Sequence, residues 1–158
     1  MNIQISRTIP ANRRAIIRET IREFSRLNWH PSTVNRIELI KVQAFPEAFP
    51  SNAYGWCEID HTNEERRPNR FNMAFHSKLG IEKLIRIVIH ESTHVRQFAT
   101  CKFNPSVVKR GALKIKWDGK LYAADMPYEK QPWEQEAVAN EFFYFYQVRA
   151  HLRRKGLI

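Results

Sequence analysis

Cysteine is scarce in this chain: Cys57 and Cys101 are the two among 158 residues, in neither a Cys-x-x-Cys nor a Cys-x-x-His spacing. That disfavours a disulfide framework and a cysteine-based zinc finger; two buried thiols in a reducing compartment are expected. Met1 to Pro10 is polar and has no apolar core of the kind a secretory signal needs. No stretch approaches the ~18 apolar residues of a membrane span. Repeats and RNA-recognition signatures are also missing. The expectation from these absences is a soluble, cytoplasmic protein with no membrane partner, its oligomeric state open.

What is present is a globular composition. Hydrophobic residues make up 43%, with ten Phe, five Tyr and four Trp, enough for one domain over 1–158 with a real core. Net charge is +10, from 26 Lys+Arg against 16 Asp+Glu. The excess lies in Arg7, Arg13, Arg14, Arg18, Arg22 and Arg26, then Lys102 to Lys120, then Arg149, Arg153, Arg154 and Lys155. Such a balance fits contact with nucleic acid or an acidic partner, and equally a solvated basic surface.

Along the chain, Ile16, Ile17, Ile21, Phe24 and Leu27 form a helical stripe over Ala11 to Leu27, and Pro31 helps break it. Arg36 to Val42 and Ala53 to Ile59 read as strands, with Pro46 and Pro50 marking a loop between them. His61 to Asn69 reads as a turn or exposed loop, and Arg70 to His76 alternates Phe71, Met73 and Phe75 as a half-buried strand does. Ser77 is placed to cap a helix over Ile81 to Ala99. Lys102 to Gln131 reads as irregular, and irregular segments of that length are often functional. Pro132 then opens a helix to about Arg154, closed by Gly156. The order predicts an α+β fold with a small mixed sheet.

The chemistry concentrates in His90-Glu91-Ser92-Thr93-His94. On a helix, positions i and i+4 share a face, so both imidazoles can reach one ion at roughly 2.0–2.1 Å. Glu91, ~100° round, can reach a water beside the ion without ligating it. A bound Zn²⁺ lowers the pKa of such a water towards ~7, and a carboxylate base can then work at neutral pH. With six His and thirteen Glu, the pattern arises in roughly 2 of 100 shuffled sequences. The competing reading is two histidines packed in a core helix without metal.

This segment, with Val95-Arg96-Gln97 after it, resembles the zincin metallopeptidases. Trp117-Asp118-Gly119, Tyr128 and Pro132-Trp133-Glu134-Gln135-Glu136-Ala137 resemble small phage and prophage zincin-like domains of the minimal gluzincin type. The resemblance covers about Phe71 to Tyr146. It implies a zincin-like α+β domain, intracellular hydrolysis of a protein or peptide amide bond, Glu91 as general base, and a third zinc ligand from a glutamate on the last helix. Glu134 is preferred and Glu136 is the alternative; they lie ~200° apart, so both cannot face the metal. The loser would be a solvated surface charge. Val138 stands where many gluzincins place an aspartate that orients a ligating histidine, so Asp125, Asn140 or a backbone carbonyl is the substitute to expect. The resemblance also implies that Arg70 to His76 is the edge strand along which a peptide pairs.

Tyr128, and with it Tyr122, can donate to a developing oxyanion or simply pack over the loop. Cys57 and His61 have helical ligand spacing but fall in a strand, which argues against a second metal site. The run Phe142-Phe143-Tyr144-Phe145-Tyr146 goes round a helix and is expected to pack in the core; a nucleobase-stacking platform requires exposed rings. His30, His76 and His151 are isolated. A different class of function stays open: a basic nucleic-acid- or protein-binding module on the same fold without turnover. It is distinguished by whether basic groups line the cleft.

Overall fold

The computed structural model describes the backbone of residues 1–45, 54–60, 67–109 and 112–158, and the side chains of these except 106–109 and 112. Its elements form an α+β fold, as read from the sequence. The polar N-terminus is strand β1 (Asn2–Ile5), where Ile3 and Ile5 alternate with Asn2 and Gln4. Helix α1 (Ala11–Asn28) buries Ile16, Ile17, Ile21 and Phe24. Its arginines are largely engaged within the molecule. Arg13 donates to the Ser77 and Leu79 carbonyls at 3.0 and 2.8 Å, Arg14 to the Ile9 carbonyl at 2.8 Å, and Arg22 and Arg26 pair with Glu19 and Glu23. Pro31, expected to break structure, instead opens the short helix α2 (Pro31–Arg36), since proline suits a first helical turn.

Strands β2 (Leu39–Phe45), β3 (Gly55–Ile59) and β4 (Arg70–His76) complete a four-stranded sheet in the order β1-β2-β4-β3. The first two pairings are parallel, and β3 runs antiparallel to β4. The expectation that Arg70–His76 is an edge strand is therefore wrong: β4 lies between β2 and β3, and β3 takes the edge. The reason is visible in the burial, because Met73, Ala74 and Phe75 are consecutively buried, as happens when both faces of a strand are covered. The loop at Pro46 and Pro50, His61, and most of the turn after it lie outside the described residues.

Helix α3 (Ile81–Ala99) spans the residues its periodicity predicts. Ser77 does not cap it; Gly80 holds that place without a side-chain bond. Past its end Cys101 adopts φ 56°, the left-handed turn that commonly closes helices, and is exposed. The expectation of two buried thiols fails there, and Cys57 is only partly covered. The segment read as irregular is an antiparallel meander, β5 (Phe103–Lys109), β6 (Ala112–Trp117) and β7 (Lys120–Ala123). Asp118 and Gly119, with φ of 47° and 81°, make the tight β6–β7 turn that an Asp-Gly pair favours. The register of β5 slips between Asn104 and Val107, around Pro105, which has no amide to donate.

A 3-10 turn (Tyr128–Lys130) leads into helix α4 (Pro132–Arg154). Along α4, Trp133, Ala137, Phe145, Val148 and Leu152 recur at helical spacing on the buried face. One apolar core, from Ile3 to Leu152, joins α1, α3 and α4 to the four-stranded sheet. No described helix is long and apolar enough to cross a membrane.

Candidate metal centre

Every residue of α3 from Val88 to Val95 is buried, and of its polar side chains His90, Glu91 and His94 border a cavity. His90 and His94, one turn apart, point towards the start of α4. There Glu134, in its first turn, meets both: Glu134 Oε2 is 3.1 Å from His90 Nε2, and Oε1 is 3.4 Å from His94 Nε2. The two Nε2 atoms are 3.2 Å apart. A tetrahedral ion with bonds of 2.0–2.1 Å separates its ligand atoms by about 3.3 Å. The three side chains thus match three corners of such a site and can hold a metal ion.

The surroundings fix which nitrogen of each ring faces Glu134. His90 Nδ1 lies 2.6 Å from Glu141 Oε1, and His94 Nδ1 lies 2.8 Å from Gln97 Oε1. Gln97 cannot turn its amide round. Its Nε2 donates to the Trp133 carbonyl at 3.0 Å and to Glu136 Oε2 at 2.8 Å, leaving its oxygen for the imidazole. With both Nδ1–H groups committed, neutral His90 and His94 present two Nε2 lone pairs and the Glu134 carboxylate to one point. Only a cation or protons make that arrangement favourable.

Glu136, the alternative third ligand, is not at the metal position. It takes Gln97, Lys102 at 2.8 Å and Arg96 at 3.0 Å, so it is not the expected solvated charge either. The ~200° between the two glutamates explains the division. The residues expected to orient the histidines do something else: Asn140 donates to Thr93 Oγ1 at 3.2 Å, and Asp125 is exposed. Glu141 and Gln97 were missed. Glu141 follows Glu134 by seven residues, two turns on the same face, and its longer side chain does what an aspartate at Val138 would do one turn earlier. Gln97 sits three residues past His94, also on one face.

Without metal, burial works against charging either imidazole, yet Glu134 and the other carboxylates around them, Glu91 among them, together outweigh it at both. Glu141 adds to the effect at His90, which holds its proton up to about 10. Burial would raise the Glu134 carboxyl, but the histidines pull it well below the usual carboxylate range. Glu91 ligates nothing; burial pushes its carboxyl above the ordinary value, against the pull of the two histidines.

The site opens into a cavity of about 630 Å³, walled by β3 (Gly55, Trp56, Cys57), by Phe98 and Phe103, and by Tyr128. Gly55 allows a close approach there: a Cβ on it would stand 2.5 Å from Ile87 Cγ2 and 2.9 Å from Glu91 Oε1, so those side chains would have to shift. Tyr128, on the 3-10 turn, borders the cavity beside Glu134, and partial burial with that negative neighbour raises its phenol, which stays protonated. Tyr122 packs against Trp133 at 6.1 Å and is not in the cavity wall. Among the described residues no Lys or Arg lines the cavity, whereas Glu91, Glu134 and Glu141 do. Compared with known proteins, the chain matches no family model, no curated protein and no solved structure.

Proposed function

We propose that the chain is a zinc-dependent metallohydrolase of the His-Glu-x-x-His type, acting as a peptidase on a protein or peptide amide bond. The observation that carries this reading is the convergence of His90, His94 and Glu134, with a non-ligating Glu91 in the same cavity wall. Three protein ligands with a position left open is the catalytic form of a zinc site; a structural site closes all four. A zinc ion there would supply Lewis acidity, polarising a carbonyl and acidifying a water.

The remaining work falls to the chain. Glu91, its carboxyl raised by burial, takes the proton of the attacking water and passes it to the amide nitrogen as the C–N bond breaks. Tyr128 keeps its hydrogen and donates to the oxygen that gains charge. Glu141 and Gln97 hold the histidines in the Nδ1–H form. Strand β3 pairs with β4 on one side only among the described residues, and Gly55 to Cys57 border the cavity, so the peptide-pairing edge moves from β4 to β3.

The carboxylate-lined cavity weighs against the binding-module alternative, since a polyanion has no cation to meet there. The test is hydrolysis of an unfolded protein by the zinc-loaded chain. It should stop with a chelator, return with zinc, and fall at least ~100-fold in Glu91→Gln with metal content unchanged. Retained turnover in Glu91→Gln would remove the general-base role. A zinc-loaded chain that hydrolyses no peptide would favour the binding module.

A further inference from the structure

The aromatic run on α4 does not pack in the core as the sequence suggests. Phe145 is buried and Tyr144 rests on Phe24 at 5.3 Å, but Phe142, Phe143 and Tyr146 are 69%, 68% and 68% exposed. Helical geometry divides the run: α4 buries the stripe through Phe145, Val148 and Leu152, and the other three rings project from the opposite side. Val138, Ala139 and Ala150 extend the exposed apolar face to either side. Three large rings standing together in water mark an interaction surface.

The charges of α4 are sorted in the same way. Its glutamates, Glu134, Glu136 and Glu141, all turn inward to the histidines and to Gln97. α4 itself therefore sets no carboxylate among the rings, while Glu82 of α3 pairs with Arg149 at 2.8 Å on the flank. Arg153 and Arg154 stand eleven residues past Phe142 and Phe143, three turns further and in line with them. Both are exposed and form no salt bridge among the described residues, although Arg154 is near enough to Glu23 of α1 to help lower its carboxyl. Arg86 of α3 lies along the rim, its guanidinium 3.8 Å from the Phe145 ring centre and 5.9 Å from that of Phe142.

We propose that this outer face of α4 binds single-stranded nucleic acid, with bases stacked on Phe142, Phe143 and Tyr146 and phosphates held by Arg153 and Arg154. Exposed rings beside solvent-facing cations are what a sequence-tolerant single-strand platform needs, because every base has a face to stack. A duplex keeps its base faces covered and gains only from the charges. A second copy of the chain fits less well: two such faces would set Arg153 and Arg154 against each other on proteins each of net charge +10, and the Glu82 carboxylate on the flank is already held by Arg149. A lipid surface is met by a long unbroken apolar face, whereas Gln135 and Gln147 border these rings. The proposal is independent of the metal centre, whose cavity lies on the inward side of α4.

The test uses fluorescence anisotropy of labelled 20-nucleotide single strands and the matching duplex at 50 mM salt, with the full zinc-loaded chain. The single strand should bind more tightly than the duplex. Phe143→Ala and Tyr146→Ala should each weaken it at least about fivefold, the low end for loss of one stacked ring. Arg153→Ala should reduce the slope of log affinity against log salt by about 0.7. Melting temperature and zinc content should stay put, because the rings are exposed. Absence of binding, or equal binding by the ring variants, overturns the proposal. So does a dimer in sedimentation that Phe142→Ala abolishes, or binding to anionic vesicles without binding to the oligonucleotides.

Discussion

Replacing Gln97 by Leu isolates the device that sets the tautomer of His94. The side chain is fully buried and makes three bonds: from His94 Nδ1 at 2.8 Å, to the Trp133 carbonyl at 3.0 Å and to Glu136 at 2.8 Å. Leucine is apolar and fills most of the glutamine's volume, so the lost polar contacts dominate the change. Glu136 keeps Lys102 and Arg96, which leaves the His94 N–H as the group stranded without a partner. One buried unsatisfied donor costs about 1–3 kcal/mol of stability. Losing the group that orients a metal-ligating histidine costs about 10–100-fold in metal affinity, or about 1.4–2.7 kcal/mol. Competition with a chromophoric chelator measures that affinity, and urea unfolding of the metal-free protein measures the first cost. Glu136→Ala should weaken zinc less, because Trp133 still holds the glutamine. The double variant should be no worse for zinc than Gln97→Leu alone, since both act through one amide. Asn140→Ala, which loses a bond to Thr93 only, should leave affinity unchanged. Zinc affinity within about twofold of the parent in Gln97→Leu would refute this account of His94.

Glu134→Ala removes one of the three converging ligands and should abolish stoichiometric zinc, whereas Glu136→Ala should still carry one ion per chain; mass spectrometry of protein purified without chelator reads both. Zinc binding should release protons and tighten as pH rises, because the metal-free His90 holds its proton up to about 10; calorimetry in buffers of different ionisation enthalpy reads that release. The same raised value makes His90 stabilise the metal-free fold fully below its unfolded value of about 6.5. That contribution is lost as pH rises through about 10, so chelated protein should melt progressively lower over this window. Gly55→Ala should cost about 1–3 kcal/mol by forcing its methyl against Ile87 and Glu91, and should lower activity more than it lowers zinc content.

The sequence alone was sufficient wherever the information is local. The stripe from Ile81 to Ala99 determines α3 because burying a single helical face needs only the 3.6-residue period, and that helix then places His90 and His94 together. Pro132 likewise sets the start of α4, and the ~200° between Glu134 and Glu136 meant that only one could meet the histidines. Locally written signals were also overlooked: Asp118-Gly119 marks a hairpin, and Ile3 and Ile5 alternate as in a strand. Other features had no local signature. Which strand lies at the sheet edge depends on pairing partners far along the chain, so β4 was mistaken for the edge that β3 occupies. Which glutamate meets the two histidines, that Gln97 and Glu141 aim the imidazoles, and that Phe142, Phe143 and Tyr146 face water all depend on how α4 is rotated against α3. That rotation is set by packing Trp133, Ala137, Phe145, Val148 and Leu152 into the core, a long-range contact that only the tertiary structure decides.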